Sequence, residues 1–360
     1  MKKNNKLFLP ALTGYRAIAA WMIFVYHFFP FNNSKFPTWI KTPVFEFHIG
    51  VDMFFVLSGF LITYRYFTQN PINFKKYMVN RVARIYPMYF LITLMVFLVW
   101  FFQNGYWNTE KTLEAITSFT MTKALFSTFF LTGIPQGWTL TLEEMFYITA
   151  PLYFILLRKN KYWLFILPVF VFLLGYSLKY LTATSNNTHG FLQTPIHPYI
   201  IEFFAGIGLG LIFLKLNTSE KVKSGMFTYG GIAVIVIYLF TRHYFASVFN
   251  LKSDIGRFIE MGFLSILGIV PLLWGLINEK TFVSLLLSNK WMVLLGKSSY
   301  IFYLIHKGFI PIFINDYISD NKLIIFIVLN ILSIVLFTYI EEPLNHYIRK
   351  KFGKAKNIDE

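Results

Sequence analysis

The chain has no cysteine, and only 17 of its 360 residues are acidic. The first absence excludes disulfides, thiolate metal sites and a thiol nucleophile, while leaving the compartment undecided. The second leaves 33 Lys and Arg with little to balance them, for a formal net charge of +16. Charged residues of both signs make up just 14%, against 56% hydrophobic and 20% aromatic, proportions that a water-soluble domain of this length does not carry. No period-2 alternation of polar and apolar positions is present, which excludes a transmembrane barrel. His-Glu-x-x-His spacing and phosphate-cradling glycine loops are missing too, so no metal and no P-loop chemistry are expected.

What the chain does have is long apolar runs such as Leu91–Phe102 and Trp163–Leu174. They predict an all-α fold, a polytopic integral membrane helical bundle. Windows of membrane length place ten spans near 11–31, 46–66, 84–103, 138–157, 161–181, 196–215, 226–245, 257–277, 292–314 and 322–343. The stretch 112–132 mixes Glu114, Lys123 and several Thr and Ser with Leu125, Phe126, Phe129 and Phe130. If it does not cross, one set of loops holds 21 Lys and Arg, from Lys2, Lys3 and Lys6 to Arg349, Lys350, Lys351, Lys354 and Lys356. The opposite set then holds 8: Lys35, Lys41, Lys111, Lys123, Arg242, Lys252, Arg257 and Lys322. A crossing at 112–132 would destroy that bias, so the stretch is expected to be re-entrant or interfacial, with both termini in the cytoplasm. The same asymmetry accounts for the positive charge as topology, with no nucleic acid as partner.

Met1–Lys6 resembles a signal n-region, but no small-residue cleavage pattern follows, so the first span is expected to be retained. Residues 1–346 are expected to form one membrane-embedded domain and 347–360 a short basic cytoplasmic tail, which puts any catalysis inside the bundle.

Ionisable residues inside apolar spans are costly and need a reason. Arg16 and His27 both lie in the first span, eleven positions apart. On a helix that is about three turns, roughly 16 Å, and returns to nearly the same face. On this topology Arg16 lies toward the cytoplasm and His27 near the outer end. Taken singly, Arg16 could snorkel to headgroups and His27 could be a neutral buried imidazole; together on one face they point to a polar cavity. His48 and Asp52 can meet on one face of the second span, at the depth of His27, where an acid could orient that histidine or form a helix-end ion pair. Arg81 and Arg84, three apart at the inner end of the third span, suit bidentate phosphate binding or plain positive-inside anchoring. Glu143 and Glu144, a turn or so inside the fourth span, should have a partner such as Arg16, His27 or a substrate hydroxyl. Ser299, Tyr303 and His306 recur about a turn apart and read as another cavity wall. His189, His197, His243 and His346 fall at span ends or in loops and receive no role. A histidine on the outer side with cations on the inner side suits acyl transfer from a cytoplasmic thioester, His27 acting as general base or carrying the acyl group briefly.

Motifs along the whole chain carry a resemblance. Arg16-x10-His27, Gly50-Val-Asp52-Met-Phe-Phe55-Val-Leu57-Ser58-Gly59, Arg81-x-x-Arg84-Ile-x-Pro87, Trp138-Thr-Leu-Thr-Leu-Glu143-x-x-Phe146-Tyr147, Leu295-Gly296-x-x-Ser299-Tyr300-x-x-Tyr303-Leu304-x-His306 and Glu341-x-Pro343 stand in this order. Together they resemble the membrane-bound acyltransferase-3 family, whose members O-acetylate cell-envelope glycans such as lipopolysaccharide O-antigens, exopolysaccharides and peptidoglycan. The resemblance implies about ten helices, acetyl-CoA or another acyl-CoA as donor, and a glycan or lipid-linked sugar acceptor at the inner (plasma) membrane, among membrane lipid. It also implies an essential Arg16 and His27, with Asp52, Arg81, Arg84 and Glu143 as further functional positions; Tyr303 and His306, from the cavity wall their spacing suggests, are expected beside the substrate. Thr139 and Thr141 replace the family's usual serines and keep the hydroxyls; Met145 stands where Gln is common. The hydrolase-like domain fused to some members is not in this sequence, so direct modification or hand-over to a separate extracytoplasmic partner is expected. Two rivals remain open: a transporter or flippase of an acylated or sugar-linked substrate, against which stands the lack of a repeated half, and an envelope scaffold, which needs no Arg and His in its first helix.

Overall fold

The computed structural model describes residues 8–183, 189–216, 221–248 and 253–353. Lys2, Lys3, Lys6, Lys252, Lys354 and Lys356, which enter the loop count, lie outside the described residues. The described residues are helical, with only isolated bridges at Phe126–Phe191 and Val222–Glu279. In chain order the helices are α1 (Pro10–Phe28), α2 (Thr38–Phe45), α3 (Gly50–Tyr66), α4 (Phe74–Asn104), α5 (Thr109–Phe119), α6 (Trp138–Lys159), α7 (Trp163–Ala183) and α8 (Ile200–Leu216). They continue with α9 (Met226–Val248), α10 (Asp254–Phe263), α11 (Val270–Asn278), α12 (Phe282–Leu287), α13 (Lys290–Ile305), α14 (Phe309–Tyr317), α15 (Lys322–Leu336) and α16 (Glu342–Phe352).

Eight stretches among the described residues are long and apolar enough to cross a membrane: Thr38–Tyr66, Phe74–Asn104, Pro135–Lys159, Trp163–Ala183, His197–Leu216, Met226–Ala246, Asp254–Asn278 and Lys322–Phe352. They coincide with eight of the ten expected spans. Of the other two, α1 is a continuous 19-residue helix whose mean hydropathy is held down by Arg16 and His27. The last, expected as one span over 292–314, is broken: α13 ends at Ile305 and α14 starts at Phe309, because Gly308 takes φ 106°, a conformation no helix continues through. Boundaries moved elsewhere as well. Asn73 caps α4 by accepting the Lys76 N–H at 2.9 Å, so the helix begins a full ten residues before the apolar window and carries Arg81 and Arg84 within it. A hydropathy window is blind to such charged first turns. Residues 109–134 form the short α5 and turns, and none of the eight membrane-length stretches covers them.

The chain is a multi-pass membrane protein built as two compact units of separated segments. The first comprises Met1–Thr68, Leu156–Tyr176 and His197–Ser299. Its core gathers Leu12, Tyr15, Met53, Val56, Phe60, Leu209, Phe213, Leu272 and Leu273. With lipid as apolar as leucine, helices associate by close van der Waals contact, which small residues permit. At the α3–α8 crossing a Cβ on Gly59 would lie 2.1 Å from the Phe203 carbonyl oxygen, and one on Gly206 would lie 2.0 Å from that of Val56. Only glycine at both positions lets these backbones touch.

The second unit comprises Gln69–Ile155, Ser177–Ile196 and Tyr300–Glu360. Tyrosine hydroxyls tie it together: Tyr77 donates to the Tyr147 carbonyl at 2.6 Å, Tyr89 to that of Ser118 at 2.9 Å and Tyr300 to that of Ile85 at 2.7 Å. Each buries an aromatic body while giving its polar tip a partner. Each unit leaves apolar side chains exposed for lipid to cover: Phe165, Val169, Phe170 and Leu173 on α7 in the first, and Ile324, Ile327 and Ile331 on α15 in the second.

Candidate functional site

The eight candidate residues divide between the two units. Arg16, His27 and Asp52 fall in the first, and Arg81, Arg84, Glu143, Tyr303 and His306 in the second.

In the first unit α1 starts with Pro10 at its first turn and runs unbroken to Phe28, so Arg16 and His27 do share one rigid helix. Arg16 is half-buried within it, and His27 is exposed in its last turn. The ring of Tyr26 lies 5.0 Å from that of His27 and 5.7 Å from that of His48. His48 sits in a 3-10 turn ahead of α3 and contacts Glu46 at 3.1 Å. Glu46 in turn takes the Arg242 guanidinium at 3.0 Å, and the same guanidinium reaches Glu260 at 2.5 Å. Tyr238 donates to Glu260 at 2.7 Å. Asp52 is buried at the first turn of α3, and the charged groups facing it are Glu202, His48, Glu260 and Arg242. His48, expected on one helical face with Asp52, sits instead in the turn ahead of α3, where it bonds Glu46 and acts on Asp52 through its charge, within a network that draws on α1, α3, α8, α9 and α10.

Glu202, Glu260 and Arg242 were not singled out from the sequence. The signal was there: Glu202 stands in Tyr199-Ile-Ile-Glu-Phe-Phe, the same anomaly of an acid in an apolar span that marked Glu143.

In the second unit Arg81 is only 3% exposed. Its guanidinium lies over the Tyr147 ring, 5.0 Å from the centroid, and faces Glu144. Tyr147, one turn after Glu143 on α6, donates its hydroxyl to the Glu143 carboxylate. Glu143 thus finds a donor on its own helix, and Arg81 is held against that helix. Arg84 is half-buried, with its side chain not covered in the same way.

Tyr303 and His306 stand close together at the end of α13. The His306 ring nitrogen Nδ1 donates to the Tyr303 carbonyl at 2.7 Å. The Tyr303 hydroxyl meets the Thr139 hydroxyl at 2.9 Å and donates to the Gln136 carbonyl at 3.2 Å. Gln136 closes the ring, its amide donating to the Tyr303 and Leu304 carbonyls at 2.9 and 2.7 Å. This ring pins the turn before α6 to the helix break at Gly308. A cavity of about 160 Å³ opens beside the break, lined among others by Trp100, Gln103, Ile134, Leu304 and Lys307.

Comparison with known proteins adds the remaining findings. The model of the acyltransferase-3 family, described as an acyltransferase domain, matches residues 9–341. The O-acetyltransferase OatA of Staphylococcus aureus strain NCTC 8325 is 24% identical over an alignment covering 98% of this chain and 59% of the relative. A protein of S. aureus strain COL, whose name as an O-acetyltransferase is provisional, is 24% identical over 99% of this chain and 60% of its own length. The chain thus spans about three fifths of these curated relatives. No solved structure matches it.

Proposed function

We propose, on the premise that this chain belongs to the acyltransferase-3 family, that it is an O-acyltransferase of the inner (plasma) membrane. It moves an acetyl or related acyl group from cytoplasmic acyl-CoA to a hydroxyl of a cell-envelope carbohydrate. The observation that carries this reading is a cation and an imidazole kept on one unbroken helix of membrane length, within a chain that matches the family model almost from end to end. The topology that goes with it has ten spans, α1 and α13–α14 included, both termini in the cytoplasm, 1–346 as the membrane domain and 347–360 as a basic tail.

His27 is the general base. It takes the proton of the acceptor hydroxyl as that oxygen attacks the thioester carbonyl, a role that contributes about two to four orders of magnitude. Arg16 offers charge to the carbonyl oxygen as it becomes negative. Arg84 holds a donor phosphate, and Arg81, fixed beside Tyr147 and Glu144, positions it and Glu143. Asp52 acts through the network around His48. Tyr303 and His306 shape the acceptor side, next to a cavity whose Trp100 ring and polar Gln103 and Lys307 suit a sugar. The acyl group goes to the glycan directly or through a separate extracytoplasmic partner.

The test is transfer of labelled acetyl from acetyl-CoA to envelope carbohydrate in membranes holding the chain. His27→Ala should insert and fold as the wild type does and lose transfer by at least a hundredfold; full activity in that variant would end the proposal.

A further inference from the structure

Four carboxylates of the first unit, Glu46, Asp52, Glu202 and Glu260, lie in one network, and Arg242 acts on three of them. Arg242 is already committed, to Glu46 at 3.0 Å and to Glu260 at 2.5 Å. That leaves Asp52 and Glu202, which the tight α3–α8 crossing at Gly59 and Gly206 brings face to face. Glu202 is 0% exposed, and neither of its oxygens meets an N–H or O–H donor of the protein. The titratable groups facing it are Asp52 and Glu260, both acids. Two carboxyl groups hydrogen-bond to each other only when one carries a proton, and two bare carboxylates side by side in a membrane interior are costly where the nearby Arg242 already pairs with Glu46 and Glu260. A second observation points into the same spot from another helix. The Tyr15 hydroxyl on α1, next to Arg16 in sequence, is buried without a protein hydrogen-bond partner and faces Asp52. The remaining groups around Asp52 are His48 and Glu46 ahead of α3, Glu260 on α10, and Tyr238 and Arg242 on α9.

We propose that Asp52 and Glu202 form a proton-holding pair that receives, through His48, the proton which His27 removes from the acceptor. The inference rests on the acyl-transfer reading above. The acceptor O–H bond breaks and its proton moves to the His27 imidazole. The oxygen bonds to the acyl carbon, the carbon–sulfur bond breaks, and the electron pair leaves on the thiolate, which takes a proton from water. His27, exposed at the end of α1, returns to neutrality by passing its proton through the outer solvent to the partly exposed His48, which hands it on to the pair. The pair goes from one proton to two, and His48, at 36% side-chain exposure, returns the extra one to the outer solvent. Asp52 and Glu202 are positioning residues that keep the base neutral between turnovers, and neither touches the acceptor.

Two measurements on the purified full chain in lipid nanodiscs test this. The infrared carbonyl band of a protonated carboxyl group, shifted in deuterium oxide, should be present in the wild type and lost in the difference spectra of Glu202→Gln and Asp52→Asn. Glu202→Gln should also slow transfer at least tenfold and move the pH–rate profile, and Glu202→Asp should restore most of the rate where Glu202→Gln does not. Wild-type chain that transfers no acetyl at all defeats the acyltransfer reading itself, whereas the band belongs to the pair regardless. If wild type transfers acetyl but the band is absent, or survives both substitutions, the pair holds no proton and the proposal falls. Loss of the band with rate and pH profile unchanged overturns the relay. Glu202→Asp and Glu202→Gln equally slow, with both folded by size-exclusion and melting, would make Glu202 a packing residue and overturn it as well.

Discussion

The Arg81 guanidinium rests 5.0 Å from the centre of the Tyr147 ring, on a tyrosine whose own carbonyl is held by Tyr77 and whose hydroxyl is given to Glu143. An arginine so placed is part of a packed helix pair, and it has little freedom to swing out toward a ligand. Arg84, one turn further and half-buried, keeps that freedom.

The two arginines should therefore separate kinetically. Losing one charge-assisted hydrogen bond costs about 1.5–3 kcal/mol, roughly a factor of ten to a hundred. Arg84→Ala is expected to raise the KM for acetyl-CoA by about that factor, with kcat within a few-fold. Arg81→Ala should lower kcat and the melting temperature together, because it strips the partner from Tyr147 and leaves Glu144 facing Glu143 alone. Steady-state kinetics in nanodiscs at varied donor concentration distinguish them; equal KM effects would refute the division.

The α3–α8 crossing gives a second expectation. A methyl on Gly206 would sit 2.0 Å from a backbone oxygen, and backbone cannot rotate out of the way. Gly206→Ala should cost about 1–3 kcal/mol of stability, as overpacking does elsewhere, and should disturb Glu202 four residues away. Gly230, whose added Cβ meets nothing within 4 Å, is the matched control on α9. Thermal unfolding in detergent should show a clear drop for Gly206→Ala and almost none for Gly230→Ala.

The helix break is open to the same approach. Gly308 holds φ 106° with no atom within 4 Å of a built Cβ, so Gly308→Ala meets strain in the backbone and no clash. The strain should be on the order of 1–2 kcal/mol. If the break positions His306 and Tyr303 for the acceptor, the KM for the carbohydrate should rise while that for acetyl-CoA holds. A change confined to the donor KM would place the break elsewhere in the reaction.

The membrane class and the all-helical fold were legible in the sequence, because apolar run length obeys the bilayer directly. Arg16 and His27 were legible for a related reason: a charge in an apolar span stands out against its neighbours. The same test marked Glu143 and should have marked Glu202. What could not be read was partnership. Nothing in the spacing of Arg81 and Arg84 says that one of them is covered by Tyr147, 66 positions later, and nothing in the apolar run over 292–314 distinguishes a straight helix from one that Gly308 breaks. Those facts depend on which helices touch, and helix contacts in lipid turn on small residues such as Gly59 and Gly206 rather than on any periodic pattern.

Lys123 makes the most direct prediction of pH dependence. It counts among the outer-loop cations in the sequence, yet in the second unit its side chain is 0% exposed. Its amine donates to the Thr132 carbonyl and, at 2.6 Å, to that of Ile134. Glu114, which bonds Lys111 at 2.5 Å and the Gly133 N–H at 3.1 Å, braces the same loop. Burial pushes the Lys123 ammonium down to about 7, against the pull of Glu114 in the other direction. A neutral amine still has two N–H groups for two carbonyls, so the loop loses no hydrogen bond on deprotonation. In the unfolded chain a lysine titrates near about 10.4. Between about 7 and that value the unfolded state binds a proton that the folded state does not, so stability rises with pH across this window. Below about 7 both states are protonated and the cost of burying the cation is felt in full. The melting temperature of wild type minus that of Lys123→Met should therefore climb from pH 6 to pH 9. A flat difference would mean that Lys123 stays charged inside the loop and that its burial is offset by Glu114.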